Sequence, residues 1–279
     1  MKAATLRALM AYAKTRNIGI GMFNIVNLEF AQAIFNASQN TGLPAMFGMP
    51  ERFFQFYNGA GMALFCRHLI QDSKTPMAIH LDHGKTFDGV MYALKAGFSS
   101  VMFDGSHLDY EENVAQTAEI VKIAHAMGVS VEGELGYVGR VGVDDLDEKG
   151  FTDPDQAADF VKRTGVDALA IAIGNQHGLY KGTPKLDFGR IEAVRKKVPC
   201  ALVLHGGTGI SSEDFVKAIR FGISKINIYT AVDVAVREFN QARFKEYEYY
   251  LDYTKDLVDV AEKIVREHML LFASQGGKI

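Results

Sequence analysis

Eight short apolar runs, most of them followed by a stretch with helical periodicity, constrain this chain more than any other feature. The runs are Ile18 to Phe23, Leu43 to Phe47, Met77 to Leu81, Ser99 to Phe103, Val129 to Glu132, Ala168 to Ile173, Ala201 to Leu204 and Ile226 to Ile228. They read as continuously apolar, the signature of strands covered on both faces, and such strands belong to parallel sheets. Between them lie helical patterns such as Leu28 to Gln39, Phe87 to Ala96, Asn113 to Met127, Asp155 to Thr164 and Ser212 to Gly222. Most open on Ser, Asp or Asn and close on Gly, as helix termini require. Eight such units in 279 residues predict an α/β fold, a (β/α)8 TIM barrel forming a single domain over 1–279. A helical extension follows the eighth strand as far as Phe272. A doubly wound open sheet is the alternative architecture.

Composition narrows the partners. Lys plus Arg number 30 against 33 Asp plus Glu, so a net charge of -3 provides no field to attract nucleic acid or an anionic membrane. No apolar run reaches the roughly 18 to 20 residues that span a bilayer. Two cysteines, Cys66 and Cys200, are too few for a disulfide framework, so the expectation is a cytoplasmic protein. Residues 1–16 carry four basic residues and no acid, as a transit peptide would. Leu6, Leu9, Met10 and Ala13 nevertheless recur at helical spacing, and an amphipathic first helix is expected. The tyrosines at 247, 249, 250 and 253 predict packing or a subunit contact.

In a barrel the chemistry gathers where strands end, and here the strand ends are polar. The third run leads into His80-Leu81-Asp82-His83-Gly84, the fourth into Asp104-Gly105-Ser106-His107, and the fifth carries Glu132-Gly133-Glu134. The sixth leads to Asn175-Gln176-His177-Gly178, the seventh to His205-Gly206-Gly207-Thr208-Gly209, and the eighth to Asn227-Ile228-Tyr229-Thr230. Barrel closure would bring His83, His177 and His205 to one mouth, and three imidazoles with an open fourth position suit a catalytic zinc. Each histidine alone is equally well read as a hydrogen-bonded barrel residue; His68, His125 and His268 lie in helical patterns and read as surface or packing residues. The glycine run after strand seven and the segment 227–230 fall where barrels bind phosphate through backbone N–H groups, although a tight turn alone would also use glycine.

These motifs, together with Phe23-Asn24, Asn27-Leu28-Glu29, Ser100-Val101-Met102, Glu134-Leu135-Gly136 and His177-Gly178-Leu179-Tyr180-Lys181, run in order along almost the whole chain. In them the sequence resembles the class II ketose-bisphosphate aldolases, which include fructose- and tagatose-bisphosphate aldolases. The resemblance implies a metal-dependent lyase that cleaves a phosphorylated ketose to dihydroxyacetone phosphate and an aldehyde. It implies His83, His177 and His205 as Zn2+ ligands and Asp82 as the acid/base at the oxygen on carbon 4. Asp104 and Glu134 match positions that hold a displaced or second ion. Asn24, Gly178, Lys181, Gly206, Gly207, Thr208, Asn227 and Thr230 match the substrate-binding positions, with Na+ or K+ beside the phosphate in some members. A homodimer or homotetramer is expected.

Departures from the family pattern bear on the distal end of the substrate. The loop acid expected after the Glu-x-Glu-Leu-Gly motif is absent from 139–143, leaving Asp144 or Asp145 as substitutes. A family Ser is Pro50, Tyr229 is unusual, and Asp233 stands where a cation is common. Arg52 and Arg140 are additional cations and candidate readers of a distal anion. These differences raise the alternative of a ketose 1-phosphate with a non-phosphate distal group, such as 6-deoxy-6-sulfofructose 1-phosphate. Two further rivals are a Schiff-base aldolase, for which Lys225 is the lysine adjoining a strand, and a non-catalytic sugar-phosphate sensor.

Overall fold

The computed structural model describes residues 2–143, 150–180, 182 and 184–274. Among them, eight parallel strands close in sequence order into a barrel: β1 (Ile20–Asn24), β2 (Ala45–Pro50), β3 (Met77–Gly84), β4 (Ser100–Phe103), β5 (Ser130–Leu135), β6 (Ala168–Ile171), β7 (Ala201–Leu204) and β8 (Ile223–Ile228). Closure between β1 and β8, with Met22 beside Asn227, removes the open-sheet alternative. Helix α1 (Leu6–Arg16) precedes the barrel, and α2 (Leu28–Thr41), α3 (Gly59–Gln71), α4 (Phe87–Lys95), α5 (Tyr110–Ala126), α6 (Pro154–Thr164), α7 (Phe188–Lys197) and α8 (Ser212–Phe221) connect the strands. The expected extension is two helices, α9 (Thr230–Arg243) and α10 (Tyr250–Ala273), separated by a 3-10 turn at Phe244–Glu246.

Local chemistry sets the helix starts. Thr5, Asn27, Asn58, Thr86, Asp187 and Ser211 each accept a backbone N–H of the first turn that follows, satisfying donors that have no partner inside the helix. At α6, Asp153 caps Asp155 and Gln156 and Pro154 occupies the first turn, where its missing N–H costs nothing.

The strands are buried on both faces, as continuous apolar runs require, and successive residues alternate between two separate cores. Phe23, Phe47, Ile79, Leu81, Val101, Leu169, Leu202, Ile226 and Ile228 face outward and pack with the helices. Met22, Met46, Ala78, Ala168, Ala170 and Val203 face inward and form a barrel floor sealed by Leu6, Leu9, Met10 and Ala13 of α1. This packing supports the amphipathic reading of the first helix. Above that floor the inward positions turn polar, and His80, Glu132 and Lys225 are wholly buried. Helix α10 lays Leu257, Ala261, Val265, Met269 and Phe272 into the outer core, and Gly19 donates to the Phe272 carbonyl. The tyrosine cluster divides: Tyr253 is buried and stacks on Phe239, whereas Tyr249 and Tyr250 are exposed.

Candidate active site at the barrel mouth

Strand β3 supplies two adjacent site residues, which strict alternation would forbid. Asp82 follows His80 on the inner face, so His83 should turn outward beside Leu81. Instead the β3–β4 register shifts between Leu81 and Gly84, and His83 takes a left-handed conformation (φ 48°). Such a φ is uncommon for a side-chain-bearing residue, and a local bulge of this kind re-aims side chains at sites. Both Asp82 and His83 thereby face the mouth.

The three predicted histidines meet there. The ring centroids of His83 lie 4.9 Å from those of His177 and 4.7 Å from those of His205. One ligating nitrogen from each lies within 4.8 Å of the others. His83 Nε2 and His205 Nδ1 are 2.9 Å apart, slightly less than the roughly 3.3 Å that two nitrogens span on a tetrahedral zinc with bonds of about 2.0 Å. His205 is wholly buried. His177 is fixed through its backbone: its N–H donates to the Gly139 carbonyl, and its own carbonyl accepts from Val141. The β5–α6 loop, and Arg140 with it, is thereby tied to the β6–α7 loop that carries His177.

The surrounding field suits a cation. Burial depresses the His177 pKa to about 4, aided by His83, and holds His205 well below its usual range, so both keep lone pairs. At His83 burial acts in the same direction but is outweighed by Asp82, Asp104 and Glu134, which push its pKa up to about 9. A position that favours positive charge, with two neutral imidazoles beside it, fits a divalent ion. Asp104 holds His83 by a 2.8 Å contact to Nδ1, and burial of the carboxyl is outweighed by that partner and by Ser106, keeping it low. Glu134 is pushed well above the usual carboxylate range by burial and by Asp104, and its Oε2 is buried without a hydrogen-bond partner. His83, Asp104 and Glu134 form a second potential metal-holding group around the shared imidazole.

Asp82 is gripped at both oxygens. Asn24 donates to Oδ2 at 2.8 Å and Asn227 to Oδ1 at 3.0 Å. Burial raises its pKa, but His83, His205, Lys225 and the Asn24 hydrogen bond outweigh that and hold the carboxyl ionised. Its Oδ1 lies 4.0 Å from His83 Nε2.

A cavity of about 1100 Å³ opens over these groups, lined by Asn24, Asp82, His83, Asp104, Glu134, His177, Gly178, Gly206, Gly207, Thr208, Asn227 and Thr230. The Thr208 hydroxyl accepts from the Ala231 N–H at the start of α9, joining the glycine turn to that helix's N-terminus. Arg52 and Arg140 also line this cavity, together with Pro50, Lys85 and Tyr229. Lys181, Asp144 and Asp145 lie outside the described residues. Asp233 accepts from the Tyr229 hydroxyl at 3.3 Å and faces Arg237, one turn along α9, at 3.9 Å.

Two residues to which the sequence reading gave no part in this site complete the arrangement. Glu132 accepts from His205 Nε2 at 2.9 Å and pairs with Lys225 Nζ at 2.9 Å, all three wholly buried. The inward parity of Glu132 with Glu134 was the available signal. Lys225 is held by Glu132 and Asn227, whereas a Schiff-base lysine must present a free amine to substrate. His125 pairs with Asp167, in keeping with a packing role.

A parallel eightfold barrel whose strand ends bring three imidazoles and a braced carboxylate together at its mouth has the layout of a metal-dependent barrel enzyme. The family model "Fructose-bisphosphate aldolase class-II" matches residues 4–277. The chain is 43% identical over 240 residues to the fructose-bisphosphate aldolase of Staphylococcus aureus strain Mu50, covering 84% of each chain. It is 42% identical over 240 residues to that of Geobacillus stearothermophilus, covering 84% of this chain and 83% of the other. The YdjI aldolase of Escherichia coli K12 superposes with a TM-score of 0.89 at 33% identity over 99% of both chains. This chain belongs to the class II fructose-bisphosphate aldolase family, and is a lyase of the aldolase type.

Proposed function

We propose that the cavity binds a ketose 1,6-bisphosphate, of the fructose or tagatose type, and reversibly cleaves it to dihydroxyacetone phosphate and an aldehyde phosphate. The observation that carries this reading is the placement of Asp82, braced by two amides, beside three converging imidazoles. His83, His177 and His205 would hold Zn2+, with Asp104 and Glu134 available to a displaced or second ion. Bound there, a divalent ion supplies Lewis-acid stabilisation of the negative charge that carbon–carbon cleavage leaves on the dihydroxyacetone half.

The chain's own residues would do the rest. Asp82 takes the proton from the hydroxyl on carbon 4 as that bond breaks, and returns it in the condensation direction. Asn24 and Asn227 keep its lone pairs aimed and its carboxyl ionised. The dihydroxyacetone phosphate group fits the end formed by Gly178, Gly206, Gly207, Thr208, Asn227 and Thr230, where backbone N–H groups and the α9 N-terminus favour an anion, with Lys181 and Na+ or K+ as further contributors. Arg52 and Arg140 would read the distal phosphate. Relatives named fructose-bisphosphate aldolase favour the bisphosphate over a ketose with another distal group. A cytoplasmic homodimer or homotetramer completes the reading.

The test is turnover of fructose and tagatose 1,6-bisphosphate with coupled detection of dihydroxyacetone phosphate, after chelation and after zinc is restored. Loss with EDTA, recovery with zinc and no borohydride trapping are expected. Turnover that survives chelation, or fails on both bisphosphates, would overturn the assignment.

A further inference from the structure

The barrel carries a charged layer where a second apolar layer would pack as well. Below it lie Met22, Met46, Ala78, Ala168, Ala170 and Val203; at its level lie Glu132, Lys225 and His80, all without solvent exposure. Taking an ion pair out of water is costly, and well-packed apolar replacements are often at least as stable, so stability gives no reason for the pair. Its contacts do. Glu132 Oε1 lies 2.9 Å from His205 Nε2, and Oε2 lies 2.9 Å from Lys225 Nζ. Lys225 Nζ also donates to Asn227 Oδ1 at 2.7 Å, which turns the Asn227 amide nitrogen toward Asp82 Oδ1 at 3.0 Å.

We propose that Glu132 and Lys225 are positioning residues: Glu132 fixes His205 with its proton on Nε2 and its free Nδ1 toward the metal, while Lys225 orients Asn227 and through it Asp82. Asn227 Nδ2 also approaches His205 Nε2, but at 3.3 Å that contact is longer than the one to Glu132. An ionised carboxylate only accepts, so the shorter contact requires Nε2 to be the donor. A carboxylate behind a ligating imidazole is a recognised way to set its tautomer and strengthen its grip. Here one lysine ties that carboxylate to the amide that aims the acid/base, so the metal ligand and the proton-transfer group share a support. The inference rests on the three-histidine metal reading; a parent protein that binds no zinc would refute that reading rather than this one.

The experiment begins on the zinc-loaded parent, with histidine 15N–1H correlation spectra assigned by loss of one spin system in His205→Gln. A proton on Nε2 and a metal-bound Nδ1 are expected for His205; the opposite tautomer overturns the proposal. Two double variants avoid leaving one buried charge unpaired. Glu132→Leu with Lys225→Met should bind zinc ten- to a hundredfold more weakly in chelator competition. At saturating zinc its kcat should fall at least tenfold while KM stays within about threefold. Glu132→Gln with Lys225→Met keeps an acceptor for His205 and should recover zinc affinity to within about fivefold of the parent. If the E132L/K225M protein is folded and binds zinc like the parent, or if the E132Q/K225M protein is no better than the E132L/K225M protein, the positioning role is wrong.

Discussion

Replacing Gly206 by alanine should disable the site without dissolving the barrel. Gly206 sits at φ +63°, and a Cβ there would stand 2.1 Å from the Gln176 carbonyl oxygen, 2.5 Å from its carbon and 3.1 Å from the His177 nitrogen. Carbon–oxygen contacts ordinarily lie at about 3.3–3.6 Å, so the β6 and β7 loops must part by roughly 1 Å. These loops carry His177, His205 and the turn assigned to the phosphate. Misplacement on that scale can cost about 100-fold in rate, or about 2.7 kcal/mol of transition-state stabilisation, and the left-handed backbone adds about 1–2 kcal/mol of strain. Gly42→Ala separates the two effects: Gly42 ends α2 at φ +68° with nothing within 4 Å of the added carbon, so it meets the strain alone. The assay is kcat/KM on fructose 1,6-bisphosphate with thermal melting of both variants. Gly42→Ala should melt about 2–8 °C lower and turn over normally, whereas Gly206→Ala should lose about 100-fold or more in kcat/KM. A Gly206→Ala enzyme within threefold of the parent would refute the reasoning.

Asp82→Ala should retain zinc by elemental analysis while kcat falls about 10²–10⁴-fold and KM changes little, because a general acid/base acts chiefly in the transition state. His177→Ala or His205→Ala should lose zinc and activity together. Arg52→Ala and Arg140→Ala should raise KM for the bisphosphate more than they lower kcat; unchanged kinetics in both would remove them as distal-anion readers. Burial pushes the Cys66 and Cys200 thiols up to about 12, so at pH 8 both stay protonated and folded protein should react slowly with a thiol reagent until denatured.

Much of the fold could be read from the chain because its signals are local. The strand read as Ala168 to Ile173 and the helix read as Ser212 to Gly222 depend on neighbours within a few residues, and they form as β6 (Ala168–Ile171) and α8 (Ser212–Phe221). The strand edges shifted: β3 runs on to Gly84, β5 to Leu135, and β8 begins at Ile223. The extensions of β3 and β5 carry Asp82, His83 and Glu134, polar residues facing the mouth that local hydropathy reads as loop. Asp82, His83, His177 and His205 were nameable because their motifs stand at strand ends, the one place a barrel gathers distant segments.

The sequence by itself determined the succession of strands and helices, the parallel class of sheet and the residue types available at the mouth, since each depends on composition and spacing over a few turns. Only the tertiary structure decided how those residues meet. The bulge that turns His83 inward beside Asp82 arises from the β3–β4 register, and the contact of Glu132 with Lys225 and His205 joins strands β5, β8 and β7 across the barrel. Pairings between residues 73 and 93 positions apart carry no trace in local periodicity, because burial and closure alone bring such side chains within hydrogen-bonding distance.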